Sequence, residues 1–463
     1  MWDRIARSLK ADKIISDAHA LVVGRNFWQE LDSHEEQVFS QRWLLQDALE
    51  NLPEDAPVNW ERLAELEETY RLPSLNRFVW ADRNWIKSDY AASCRRLIAA
   101  FDFYEGLYAT SKPDFILTSA YASMPHLVGH YVARRMGIPI MRLVNTRIDD
   151  LHVPGYSALD DIDWLEDAMT NQGEPAPELI AKIDDYLTRF RTAPERPSYE
   201  VTLSKIADFD WGQARRIFRY SYRYWISKVY AKDHTKLNPF VKAWRELKPK
   251  INRQYMKRWR GWATFSPDVK YVYFPLHLQP EGSTMTLAPF YLNQISVVEN
   301  ISKSLPANMK LVVKEHPQML GRRPKSYYES IKQIFNVELI EPFTNNFSVI
   351  KNADLVFTIT GTAGWEALVL KKPVITLGAT IYNQCPLTIQ AGDVAPTGWA
   401  DIIRHALNDY QHDETELRRY IGAIMTRAVN CRFIEPMLDP DSILSDKNVN
   451  TIRDAIVAEL ERV

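Results

Sequence analysis

At 463 residues the chain is too long for one ordinary domain, and two α/β domains are the natural expectation. Its 46% apolar and 25% charged residues are ordinary for a soluble globular protein, and no apolar run approaches the roughly 18 residues of a membrane span. The opening Met1 to Lys10 has no apolar core of the kind a signal peptide needs. Three scattered cysteines, Cys94, Cys385 and Cys431, form no Cys-x-x-Cys pair, which fits a reducing cytoplasm and argues against a structural zinc site.

Net charge is −2, but it is unevenly spread. Between Trp211 and Trp262 fifteen Lys and Arg stand against Asp233 and Glu246, a local +13 that leaves about −15 for the rest. A basic block in an otherwise acidic chain implies a local anionic partner or surface.

Residues 1–75 read as irregular and helical, with apolar turns or short strands over 12–17 and 20–24 and helices over 43–49 and 60–70. The spacing of Leu97, Ile98, Phe101, Tyr104 and Leu107 predicts a helix over 90–107. Phe115 to Thr118 reads as a buried strand, His126 to Met136 as a helix and Gly137 to Val144 as the next strand, a βαβ unit of a Rossmann-like domain. Ser119 to Ser123 and Asn145-Thr146-Arg147 follow these strands and face the expected cleft. Arg147 suits a carboxylate or phosphate clamp, because a guanidinium forms two parallel hydrogen bonds to either group; its bland alternative is an ion pair with Asp149 or Asp150. His126 and His130 have metal-ligand spacing, but with no third ligand nearby, helix packing is the simpler reading.

A helix is expected over 177–190 and a linker over 192–197. After the basic segment, strands are expected over 269–274, 311–313, 336–340, 354–359 and 373–377. Helices are expected over 293–304, 346–351, 365–370, 399–409, 414–429 and 448–461. The domains expected are therefore 1–200, a basic aromatic connector over 201–264, a second Rossmann-like domain over 265–440, and a terminal helix over 441–463.

Two strand ends in the second domain carry the chemistry. Lys314-Glu315-His316-Pro317 ends one strand, and Thr360-Gly361-Thr362-Ala363-Gly364 links another to a helix carrying Glu366. In parallel sheets ligands lie at the carboxyl ends of strands, and a helix N-terminus offers backbone N–H groups to an anion. Together they read as a nucleotide-phosphate cradle: Thr360, Gly361, Thr362 and Gly364 from the turn, His316 and Pro317 from its neighbour, Lys314 adding charge unless it faces solvent, and Glu366 accepting from ribose unless it only complements the helix terminus. Gly and Thr also occur in such turns for turn geometry alone.

Phe274-Pro275-Leu276-His277-Leu278-Gln279-Pro280-Glu281, Lys314 to Pro317 and Thr360 to Leu368 resemble the bacterial capsule-polysaccharide synthesis family, which includes retaining transferases of Kdo using a CMP-activated sugar. The Lys-x-His-Pro and Thr-rich turn pair is also similar to bacterial sialyltransferases. The resemblance covers about residues 265–385 well and 75–150 more weakly, through Asp82-Arg83 and Asn145 to Arg147. It implies a GT-B-like fold, two Rossmann-like domains facing a central cleft, and transfer of an acidic ulosonic sugar from a CMP-sugar to a surface-polysaccharide or lipid-linked acceptor. A carboxylate in the loop after the first strand attacks the sugar in those relatives; here Glu281 is the candidate nucleophile, with a capped turn as its alternative. Relatives often carry an Asp later in this loop, where Ser283 or Thr284 stands here. His277 is a candidate base or phosphate donor unless it merely points into the sheet, and Gln279, Ser283 and Asn145 are expected to line the donor and acceptor cleft.

No Asp-x-Asp pair stands at a strand end, so transfer without a metal or other cofactor is expected. The rival readings are a UDP-sugar 2-epimerase of the same fold and a non-catalytic capsule assembly or export factor. The basic aromatic segment suits an anionic membrane surface, placing the protein in the cytoplasm or peripherally on the inner membrane face; interdomain packing is the alternative. No nucleic-acid-binding signature accompanies it.

Overall fold

Tyr271–Pro275 (β6) opens the larger of two α/β units. The computed structural model describes residues 1–24, 28, 31, 37–50, 52–53, 56–82, 89–171, 173, 175–193, 211–226, 238–433 and 440–462. β6 alternates its side chains between two buried faces. Tyr271 and Tyr273 enter one apolar cluster with Trp365 and Tyr420; Val272 and Phe274 enter another with Val298 and Trp399. A strand covered on both faces belongs in a parallel sheet. Lys310–Lys314 (β7), Val337–Ile340 (β8), Leu355–Thr358 (β9), Val374–Thr376 (β10) and Thr388–Gln390 (β11) join it in the order β11-β10-β9-β6-β7-β8, all parallel.

That order has one consequence for function. The chain builds β7 and β8 on one side of β6, then returns to build β9, β10 and β11 on the other. The connections leaving β6 and β9 therefore diverge and open a crevice at their carboxyl ends, the usual ligand position in such sheets. Helices Gln294–Ser304, Lys325–Lys332 and Trp399–Asn408 cover one face. Helices Asn346–Asn352, Thr362–Val369 and Glu414–Arg427 cover the other. The Asn293, Asn345 and Asp413 side chains accept from first-turn amides and fix three of these starts, each contributing about 1 kcal/mol.

The N-terminal unit departs from a full Rossmann pattern. Ile116–Leu117 (β3) and Ile140–Asn145 (β4) are parallel and joined through helix Met124–Arg135, as expected. Leu151–Gly155 (β5) then pairs antiparallel with β4, and Val429–Asn430 (β12) adds antiparallel to β5. The reason is local. Arg147 and Asp149 adopt left-handed backbone, so the chain turns back within a few residues and leaves no room for a crossover helix. Residues 429–433 and helix Asp446–Leu460, assigned above to the second domain and a terminal helix, pack on this sheet: Val449, Ile452 and Ile456 share a cluster with Ile5, Leu9, Met141 and Leu143. Helix Pro177–Thr192 shifts the other way, burying Ile183, Tyr186 and Leu187 against the larger unit. Two smaller differences lie near the start. Helix Trp2–Ala11 occupies the opening residues, and Gln41–Leu44 (β2) pairs in parallel with His19–Val22 (β1), so the helix expected from residue 43 begins at Leu45.

The α/β class and the two-unit GT-B-like plan hold. The units are joined by polar clamps as well as apolar packing. The Gln384 side chain bonds both the N–H and the C=O of Ile162 (2.9 and 3.0 Å).

Candidate nucleotide and sugar site

The strand ends of β6, β7 and β9 meet through His277. Its Nε2 accepts the Thr360 N–H at 3.2 Å and lies 3.2 Å from the Thr358 hydroxyl. An imidazole accepting at Nε2 carries its proton on Nδ1. Its backbone is held twice by Gln294, N–H to Oε1 at 2.7 Å and C=O from Nε2 at 3.1 Å. Arg323 donates to the same carbonyl at 2.6 Å while its other terminal nitrogen bridges the buried Glu315 carboxylate at 2.9 Å. Burial, with the His316 ring and the Arg323 charge nearby, pushes the His277 imidazole down to about 3. His277 is thus corrected from a candidate base to a neutral brace. Its ring is 7% exposed and its acceptor nitrogen already serves the turn it supports.

The turn after β9 is also more internally bonded than its sequence suggests. Gly361 N–H goes to the Thr358 hydroxyl at 3.1 Å, Thr360 N–H to His277, and the Thr360 hydroxyl donates to Ser283 C=O at 3.0 Å. Thr360 and Gly361 therefore form the frame rather than the ligand surface, because buried polar groups must be paired. A Cβ at Gly361 would stand 3.0 Å from His277 Nε2, and one at Gly364 would collide with the Tyr382 hydroxyl, which donates to Gly361 C=O at 2.5 Å. The head of helix Thr362–Val369 presents the Thr362 and Ala363 amides and the half-buried Thr362 side chain, an anion site by geometry and dipole.

Lys314 and Glu366 differ from expectation too. Lys314 is 5% exposed and donates to Thr344 C=O (3.0 Å) and to Asn346 Oδ1 (3.3 Å), while Asn346 Nδ2 donates to Glu366 at 2.7 Å and the Tyr273 hydroxyl to Asn346 at 2.7 Å. This buried network lies under the cradle, and Asn346 is its hub. Neither charge has the exposure that a ligand-facing or solvent-facing group requires. His316 is half-buried. Its Nδ1 accepts the Gln318 N–H at 3.3 Å, which puts its proton on Nε2, and Pro317 starts the short helical turn that follows. Arg253 of helix Pro239–Lys257 donates to the Pro317 carbonyl.

Across the crevice, Glu281 and Gly282 abut the N-terminal unit: a Cβ on Gly282 would lie 3.2 Å from Ala122 Cα. Glu281 is half-buried and accepts from the Ser283 hydroxyl at 2.7 Å; Gln279 donates to Leu292 C=O at 3.0 Å. The Gln279–Pro280 peptide is cis. Asn145 Oδ1 accepts the Arg147 N–H at 3.0 Å and so supports the left-handed turn at Arg147. Burial raises the Tyr382 hydroxyl, and the charge of Arg147 from the opposite unit opposes that shift. Asp149 bridges Arg189 at 2.7 Å and Asp150 stands 3.8 Å from Arg432. Of the two helix histidines, His126 bonds Ser123 (2.8 Å) and His130 the Tyr121 hydroxyl (2.9 Å). Among the described residues no group of three His, Cys, Asp or Glu is placed to hold a metal ion.

Sequence reasoning missed Tyr382, Arg323, Gln294 and Asn346. Tyr382 and Arg323 gave a usable signal. A buried Tyr in a strand-end loop needs a partner for its hydroxyl, and an Arg shortly after Glu315 invites a buried pair. Gln294 and Asn346 look like ordinary helix-start residues.

Residues 293–397 match the model of a family described as capsule polysaccharide biosynthesis protein. The match spans both the His316 loop and the Gly361 turn. Over that stretch the chain is similar to this family. Protein FixF of Sinorhizobium fredii is 31% identical over 178 residues, 36% of this chain and 40% of FixF. Capsule polysaccharide modification protein LipA of Neisseria meningitidis is 34% identical over 70 residues, 15% of this chain and 10% of LipA. The chain thus spans less than half the length of these curated relatives. Among solved structures, Thermosulfurimonas dismutans KpsC, a beta Kdo 2,4 transferase, aligns with TM-score 0.38 and 15% identity over 74% of this chain and 86% of that one. S. aureus MnaA with UDP aligns with TM-score 0.28 and 12% identity over 96% and 97%. Both are distant likenesses of shape and carry no residue role over to this chain.

Proposed function

We propose that this chain is a glycosyltransferase of surface-polysaccharide synthesis. It moves an acidic ulosonic sugar, Kdo or a related nonulosonic acid, from a CMP-sugar to a polysaccharide or lipid-linked acceptor at the inner face of the membrane. The observation that supports the reading is that the Thr362 helix head and the His316 loop stand at the carboxyl ends of β9 and β7 in one parallel sheet, with the charge of Arg147 from the opposite unit felt at Tyr382. Negative charge grows on the nucleotide phosphate as the glycosidic bond breaks, and preorganised donors at that position favour the transition state over the bound donor. The Thr362 and Ala363 amides, the Thr362 hydroxyl and His316 supply those donors, and Arg147 suits the sugar carboxylate. The capsule polysaccharide biosynthesis match and the LipA match support the polysaccharide substrate class. The CMP-ulosonic donor rests on the His-Pro and Thr-Gly motif resemblance.

In this reading Glu281 is the nucleophile. Its carboxylate bonds to the anomeric carbon as the phosphate oxygen departs with the bonding pair; the acceptor oxygen then displaces the carboxylate with net retention as the hydroxyl proton passes to water. The Ser283 hydroxyl bond orients the carboxylate. The deciding experiment is an assay with CMP-Kdo and a Kdo-primed glycan. Acceptor-dependent CMP release is expected, and donor without acceptor should leave one sugar residue attached to the intact protein by mass. Isomerised free nucleotide sugar would instead favour an epimerase. An inverted product without adduct would reduce Glu281 to a general base.

A further inference from the structure

Helix Trp211–Ile226 exposes Phe218 (73%), Tyr222, Trp225 and Ile226 together with Arg215 and Arg219. At 3.6 residues per turn these six fall within about 120° of arc. Its opposite side, with Ile217, Tyr220 and Tyr224, is half-buried, and Lys242 of helix Pro239–Lys257 stands 4.7 Å over the Tyr220 ring. That second helix repeats the pattern. Phe240 (76%), Val241, Trp244, Ile251 and Tyr255 are exposed along one side with Arg245, Lys248 and Arg258 among or beside them. Glu246, its one acid, is neutralised by Lys242 at 2.7 Å. The reverse side of the same helix is fixed to the candidate site: Arg253 and Met256 are buried, Asn252 bonds Gly321 C=O at 3.4 Å, and Arg253 holds the Pro317 carbonyl.

We infer that the outer face of this helix pair is a docking surface for an anionic lipid bilayer. Large rings interleaved with cations match the headgroup region, where aromatic bodies sit among the acyl boundary and cations meet phosphate. A polar partner would leave the rings wet, and a purely apolar protein partner would bury unpaired cations at a cost. With Glu246 paired to Lys242, the net positive charge selects an anionic surface, each cation adding about fivefold to binding. Among the described residues no helix is long and apolar enough to cross a membrane, so the mode is peripheral. Because the reverse side grips the His316 loop, docking sets the crevice at a fixed height above the headgroups, within reach of a lipid-linked acceptor. The surface stands independently of the transferase reading, since lipid binding needs neither donor nor acceptor.

Flotation of the whole chain with vesicles tests it. Wild type should float with phosphatidylcholine–phosphatidylglycerol vesicles at low salt, float less as salt rises, and stay down with phosphatidylcholine alone. Replacing Phe218, Trp225, Phe240 and Trp244 by Ser, or Arg215, Arg219 and Lys248 by Glu, should each lower partitioning at least about tenfold. All seven are exposed, so the thermal midpoint should hold. Wild type that never floats, floats equally with neutral vesicles, or is matched by both variants would overturn the inference. So would a protein that buries this face as a dimer by sedimentation and ignores lipid.

Discussion

His277 shows why residue type does not fix role. A histidine near a catalytic loop invites a general-base reading, yet this one is buried and neutral, and its acceptor nitrogen is committed to the Thr360 amide. Its pH consequence is specific. The folded-state pKa is depressed to about 3, so below the unfolded value near 6.5 the unfolded chain takes a proton that the folded chain refuses. Stability should therefore be full above that value and fall progressively as pH drops toward the folded pKa, on the order of a few kcal/mol in all. Denaturant titrations from neutral pH to pH 5 should show this slope in wild type and about one proton less in His277→Gln. An unchanged slope would contradict the neutral, buried assignment. A second residue-scale prediction concerns Gly364, whose Cβ position is occupied by the Tyr382 hydroxyl. Gly364→Ala should destabilise by about 1–3 kcal/mol, and much less in a Tyr382→Ala background, which removes the ring carbons at 2.8 and 2.9 Å as well as the hydroxyl; additive costs in the double variant would sever the two residues.

The motif positions were legible from sequence because strand-end turns announce themselves through Gly, Pro and Thr after apolar runs. Which hydroxyl or amide stays available to a ligand was not legible. That depends on partners far along the chain: Ser283 for Thr360, and Thr344 with Asn346 for Lys314. Lys314 reads as solvent-facing or ligand-facing in sequence, yet its stem follows a buried strand and its charge is met by a carbonyl and an amide.

At the scale of elements, the parallel sheet could be read directly, since β6, β7 and β9 are unbroken apolar runs bounded by turns. Of the N-terminal sheet only the parallel β3–β4 unit could; the antiparallel β5 and β12 could not. β12 is two residues long and is recruited from a distant part of the chain, so no local periodicity marks it. Its support comes from helix Asp446–Leu460, where Ile452 is fully buried against the β4 side of the sheet. Ile452→Ala should cost roughly 2–5 kcal/mol. Hydrogen exchange should accelerate in β4 and β5 while β6 and β7 stay protected. Faster exchange spread equally over both sheets would mean that the terminal helix serves the whole molecule rather than this unit.

At the scale of the molecule, the site is shared. In the proposed reading the larger unit supplies the helix head and the His316 loop and the smaller one supplies Arg147, while Gly282 permits the close approach at Ala122. Arg147→Ala should therefore weaken a CMP-ulosonic donor more than CMP alone, and Arg147→Lys should not restore it, because an ammonium cannot reproduce the paired geometry. Equal losses for donor and CMP would place Arg147 on the phosphate instead.

The measurement that reaches the central claim most directly is calorimetric titration of CMP, with UDP and GDP as comparators, into wild type, Thr362→Ala and His316→Ala. The account predicts that wild type binds CMP in preference to the other two. Each variant, still folded, should lose about 1.5–3 kcal/mol of CMP affinity, the worth of a charge-assisted hydrogen bond. Wild type that prefers UDP, or CMP affinity unchanged in both variants, would contradict it.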